Sequence, residues 1–261
     1  TVLVLGMIFA HTIQFLGNKG TGIGFIISQY INLITFSGFM FCFAYVCNIA
    51  YISKNKEVVK SKIMRNIIEL LIIFYISGIA FEAFVSKDLS VLKIVKILLL
   101  QSIPGYSEFL ISFCGLNVVL FLFFNQIKKI ISNRKLLIIT TVSTLLLTFI
   151  PYKLIFFNPI GIFIGSNKFA CFPIVQYICY FLIGAYFQKN KIIYSTKVFI
   201  LFLISSLSMF LYIIVNNRIP NRFPPSMFWI IGGSIFIYCY YIISSFIVKR
   251  INMANKIYFI G

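Results

Sequence analysis

Residues 23–50 read IGFIISQYINLITFSGFMFCFAYVCNIA, a stretch without one charged side chain. A helix needs about 20 mostly apolar residues to cross the hydrocarbon core of a bilayer, so this run is long enough. Working outward, the same pattern recurs at 1–17, 66–86, 107–125, 136–150, 170–188, 196–215 and 226–248, with 136–150 the shortest. Of the 261 residues, 61% are hydrophobic and only 11% are charged. Mean hydropathy is +1.01. A soluble domain carries roughly a quarter charged residues. The short alternating segments of a transmembrane β-barrel are absent. The expected fold is all-α: a polytopic transmembrane helix bundle of about eight spans, forming one domain over residues 1–261.

The formal net charge is +18. Its placement points to topology and excludes nucleic acid as a partner. Lys and Arg cluster in the breaks between apolar runs, as in SKNKEVVKSKIMR, QIKKIISNRK, QKNK and VKRINMANK. Counting alternate loops, one side receives 15 of the 23 basic residues and the other 8. The positive-inside rule then puts loops 51–65, 126–135, 188–197 and 249–256 in the cytoplasm, together with the start of the chain. The surplus charge also attracts anionic lipid headgroups. Thr1 opens directly on apolar sequence, and NKIYFIG at the end resembles the approach to another helix. The natural protein is therefore expected to extend at both ends. No cleavable signal peptide is visible.

Two segments on the less basic side are more than simple loops. In SKDLSVLKIVKILLLQSIPGYSE (86–108), Lys93 and Lys96 share a face among Leu89, Leu92, Ile94, Val95, Leu98 and Leu99, which predicts a short interfacial amphipathic helix. Residues 151–169 are apolar but broken by two Pro and two Gly, which predicts a re-entrant or cavity-lining hairpin. The six cysteines all fall in apolar runs and read as small hydrophobes. With one histidine and no Cys-x-x-Cys, no metal set is expected.

Ionisable groups inside spans carry the chemical argument, because each costs about 2.5–3.5 kcal/mol at the bilayer centre. His11, the one histidine, lies about 16 Å along the first helix at 1.5 Å per residue. Imidazole exchanges a proton near neutral pH, so His11 is either a packing residue bonded to a carbonyl or a general base in a cavity. Among five acidic residues, Glu108 opens the fourth span on the outer side. It is a candidate to orient the histidine, or else a rim residue. Glu69 follows Arg65 by four positions and shares its helix face. Lys62 and Arg65, at the cytoplasmic edge of the third span, are either topology anchors or a site for the phosphates of a cytoplasmic donor. Arg218 and Arg222 lie on the less basic face, before Pro224 and Pro225, where an anchoring role is harder to argue. They are candidates to bind an anionic glycan or to line the cavity.

In order and spacing, five stretches resemble the acyltransferase-3 family of integral membrane acyltransferases. They are VLGMIFAHTIQFL, ITFSGFMFCFAYVCN with its Ser37-Gly38 pair, KSKIMRNIIELLIIFYIS, FPIVQYICYFLIGAYF and NRFPPSMFWIIGG. The resemblance covers nearly the whole chain. It implies transfer of an acetyl or other short acyl group from acyl-CoA to a hydroxyl of a bacterial surface polysaccharide or its lipid-linked precursor, at the plasma membrane. On that reading His11 is the general base, Glu108 its partner, Lys62 and Arg65 the acyl-CoA site, and Ser37, Arg218 and Arg222 line the cavity or meet the acceptor. Acyl-CoA is a co-substrate, with no permanently bound cofactor. Two departures stand out. The basic residue that the family carries before the histidine would fall immediately ahead of Thr1. The family's arginine pair is Lys62 and Arg65 here, which keeps charge but loses one bidentate fork. The rival expectation is a transporter or flippase with His11 and Glu108 in a proton relay.

Overall fold

The computed structural model describes residues 2–16, 22–155 and 157–250. Residues 251–261, with most of the last basic loop and the expected approach to a further helix, lie outside the described residues. All secondary structure among the described residues is helical. In chain order the helices are α1 Val2–Leu16, α2 Ile23–Cys47, α3 Lys56–Phe84, α4 Val91–Leu98, α5 Glu108–Leu122, α6 Phe124–Ile130, α7 Arg134–Leu146, α8 Asn158–Ile164, α9 Ile174–Lys189, α10 Thr196–Asn216, α11 Met227–Gly232 and α12 Ser234–Arg250. A π turn, Asn48–Ile52, continues α2.

Local chemistry sets the ends of these helices. Asn55, Ser90, Asn133 and Ser226 are N-caps whose side-chain oxygens accept backbone N–H bonds from the first turns of α3, α4, α7 and α11. Each such cap satisfies a donor that the helix itself leaves unpaired. Asn217 ends α10 in the left-handed conformation at φ 49°, which Asn tolerates better than most residues.

Every one of the eight apolar runs carries helix, but their lengths differ from the even series expected. Four helical segments are long and apolar enough to cross a membrane: Ile23–Ile52, Lys56–Phe84, Thr196–Asn216 and Met227–Val248. A fifth is possible if Glu108–Leu122 and Phe124–Ile130 form one span, although they meet at 86°. With 15, 13 and 16 residues, α1, α7 and α9 reach only about 20–24 Å against a core of about 30 Å. A 3-10 turn after α7 and irregular backbone before α9 supply the remaining length of those two runs.

Contacts fix the direction of each helix. Leu3 packs on Gly38 and Ile13 on Gly24, so α1 runs antiparallel to α2. Phe36 meets Tyr177, and Asn48 donates to Gln188, so α9 runs parallel to α2. Pro104 covers Gly78, Cys114 lies 3.5 Å from the Ile67 carbonyl, and Lys56 sits over Phe121, so α3 and α5 are antiparallel. The Ser132 hydroxyl accepts from Lys189, and α7 packs back along α9. Ser206 bonds Ser234 at 3.3 Å while Tyr212 meets Phe228, so α10 opposes α11 and α12. Thus α2, α5, α9 and α11–α12 run one way, and α1, α3, α7 and α10 the other. Met40, Leu116, Leu120 and Phe181 fill the shared core with no exposed surface. All six cysteines are unpaired.

The connections therefore gather at two ends. At one end Lys128 donates to the Lys54 carbonyl at 3.2 Å, and Tyr241 to the Ile192 carbonyl at 2.7 Å. At the other, Asn158 donates to the Gln101 carbonyl at 2.7 Å, and Tyr152 to that of Pro225 at 3.3 Å. The segment expected to be amphipathic forms α4, with Val91, Leu92, Val95 and Leu98 exposed and Ile97 buried. Lys93 departs from the simple polar-face expectation: its ammonium turns to Glu82 at 3.1 Å and Asp88 at 2.7 Å. These two carboxylates push the lysine pKa up. The broken segment 151–169 forms a 3-10 turn, Tyr152–Leu154, followed by α8, whose Gly161 and Ile162 are buried.

Candidate functional site

At the end away from the basic loops, six parts of the chain enclose a cavity of about 250 Å³. Met7, Ala10 and His11 come from α1 at the i, i+3, i+4 spacing that puts them on one face. Ile31, Asn32, Thr35 and Phe36 come from the facing turns of α2. Tyr106 precedes α5, whose first turn adds Glu108, Phe109 and Leu110. Phe172 enters from the segment before α9 and Arg222 from the one before α11. Three residues singled out from sequence, His11, Glu108 and Arg222, thus share one cavity despite lying far apart in the chain.

Four aromatic rings, of Phe36, Tyr106, Phe109 and Phe172, stand in the walls. Phe36 stacks on Phe172 at 4.1 Å and 12°, and Phe109 meets Phe36 edge-on at 5.3 Å. Tyr106 presents its ring to His11 at 4.8 Å and 71°, and to Phe81 at 5.5 Å. Its backbone is held at φ 64°, a conformation that non-glycine residues rarely adopt. The turn that holds it is tied by the buried Ser107 hydroxyl, which donates to the Pro104 carbonyl at 2.6 Å. Ser112 lies within 2.9 Å of both the Glu108 and the Phe172 carbonyls, pinning the loop before α9 to the first turn of α5.

Arg222 lies against two ring faces, its guanidinium carbon 4.7 Å from the Phe223 centroid and 5.4 Å from that of Phe172. Burial pulls its pKa down, and nearby Tyr177 and Glu108 oppose that shift. A guanidinium nevertheless keeps its proton at physiological pH. Two polar atoms of the site are buried without a hydrogen-bond partner: Glu108 Oε2 and Arg222 Nε. Charges of opposite sign in an apolar wall act strongly on whatever occupies the cavity, because little water screens them.

The other sequence candidates lie elsewhere. Ser37 is buried between helices beside the Tyr180 hydroxyl and does not line the cavity, although its neighbour Phe36 does. Arg218 is exposed, and its Nε donates to the Tyr212 hydroxyl at 3.2 Å. Lys62 and Arg65 are exposed on the first half of α3. Arg65 pairs with Glu69 at 2.9 Å. It borders a surface groove with Lys60, Ser61, Met64 and Phe121 that Lys62 does not line. Its Phe121 lies 13 residues, about 20 Å, along α5 from Glu108.

Sequence reasoning missed Tyr106 and Phe172. The first had a usable signal, since Pro104-Gly105-Tyr106 forms a turn two residues ahead of Glu108. Phe172 had none: it is one of 31 phenylalanines, and only the fold brings it to Arg222. The chain matches no protein-family model, no curated protein and no solved structure.

Proposed function

We propose that this chain is a multi-pass membrane O-acyltransferase that moves an acetyl or other short acyl group from acyl-CoA to a hydroxyl of a surface polysaccharide or its lipid-linked precursor. The observation that carries the reading is the convergence of His11, Glu108 and Arg222 in one aromatic-walled cavity at the end of the bundle opposite the basic loops. The alternating helix directions support eight crossings of a bacterial plasma membrane, with the basic loops and the start of the chain in the cytoplasm. Acyl-CoA brings its phosphates to Lys62 and Arg65, and its pantetheine arm extends between the helices toward the cavity.

The acceptor hydroxyl gives its proton to His11 as its oxygen attacks the thioester carbonyl. The carbon–sulfur bond then breaks, and the imidazolium returns the proton to the leaving thiolate. General-base assistance of this kind contributes roughly 10²–10⁴-fold. Glu108 supplies negative charge that favours the imidazolium as it forms. Incubation of purified protein with labelled acetyl-CoA and an acceptor glycan tests the reading. The proposal predicts labelled acceptor formed only when the donor is present. Solute flux in liposomes without any acyl donor, and no labelled acceptor, favours the transporter instead.

A further inference from the structure

Arg222 and Glu108 line the same cavity with opposite charges, yet neither belongs to any of the three ion pairs among the described residues. Each instead keeps a buried polar atom without a partner, Nε on Arg222 and Oε2 on Glu108. Unpartnered buried polar atoms are rare in folded proteins, and at a cavity wall they point to a ligand. The two demands are complementary: the guanidinium N–H needs an acceptor, and the carboxylate oxygen needs a donor. Contact with the faces of Phe172 and Phe223 holds the guanidinium in place without neutralising it.

We propose that the occupant is an acidic sugar, with its carboxylate or phosphate on Arg222 and a hydroxyl on Glu108, beside His11. The planar guanidinium fork matches both anions in a bidentate way, and a hydroxyl supplies the donor that Glu108 lacks. A neutral sugar satisfies Glu108 but offers the buried Arg222 Nε–H only an uncharged acceptor, a weaker partner than an anion. Pockets for drug-sized ligands run from about 300 to 1,000 Å³, so about 250 Å³ admits one sugar unit and not several. Phe36 and Phe109, which line the cavity, give the sugar ring an apolar wall. The inference rests on the acceptor reading of the cavity and narrows it: the sugar unit that receives the acyl group is itself acidic.

Calorimetric titration of the full chain in detergent, without acyl donor, tests this with D-glucuronate, glucose 1-phosphate and D-glucose. At least one acid is expected to bind about tenfold or more tightly than glucose. Whichever acid binds better identifies the anion as carboxylate or phosphate. Arg222→Gln is expected to erase the preference, and Arg222→Lys to retain part of it. Equal affinity for all three sugars, a preference that survives Arg222→Gln, or no binding of any of them overturns the proposal. The wild-type comparison decides even if a variant fails to fold. Arg222-dependent binding with no acetyl transfer keeps this inference and removes the acyltransferase reading. Equal transfer to acidic and neutral sugars does the reverse.

Discussion

Tyr106 is the residue whose cost most needs a reason. A left-handed backbone at an aromatic residue costs on the order of 1–3 kcal/mol and persists only where its surroundings hold it. Here Phe81 and the Ser107–Pro104 turn do so, and the result is a ring edge set against His11. An aromatic pair of this kind contributes about 0.5–1.5 kcal/mol, which corresponds to a few-fold to about tenfold in rate if it holds the imidazole for reaction. Tyr106→Ala is therefore expected to lower kcat by that factor in an acetyl-transfer assay, while Tyr106→Phe keeps most of the activity. His11, Glu108 and Arg222 were legible in the sequence because ionisable groups are few and expensive in an apolar chain. Tyr106 was not, because it is one of 15 tyrosines and its significance lies in φ and in a contact across 95 residues of chain.

Among the elements, the parallel pair α2 and α9 backs the cavity, since the lining residue Phe36 meets Tyr177 edge-on at 4.8 Å. Gly184 makes the close approach of the two helices possible: a Cβ built there overlaps the Phe41 carbonyl, and backbone has little freedom to move away. Small residues at helix interfaces serve this purpose throughout membrane proteins. Gly184→Ala is expected to destabilise the protein by about 1–3 kcal/mol, read as a lower melting temperature in detergent. Gly6→Ala, whose Cβ meets Ile31 at an ordinary 3.6 Å, is expected to leave melting unchanged or slightly raised. The helices themselves were readable from hydropathy, and the breaks within them were not. Pro173 stops α9 from starting with its apolar run at 170, a signal visible in hindsight. The 86° turn near Phe123 has no Gly or Pro to announce it, and neither does the π turn after Cys47.

At the scale of the whole molecule, two chemically different ends follow from one sequence property. Basic residues are concentrated in every second break between apolar runs, 15 of 23, and helices of alternating direction bring Lys54, Lys128 and Lys189 to one end. The same alternation carries His11, Glu108 and Arg222 to the other. Hydropathy and charge spacing made this division legible, but not the distances within the cavity, which depend on side-chain packing. The division also separates the two proposed substrates, with the acyl donor entering at the basic end and the acceptor at the cavity. The most direct test is acetyl transfer in proteoliposomes, with acetyl-CoA supplied to the face bearing the basic loops, comparing the parent chain with His11→Ala of unchanged melting temperature. The account predicts labelled acceptor from the parent and a fall of about 10²–10⁴-fold in the variant. Equal transfer by the two proteins contradicts it.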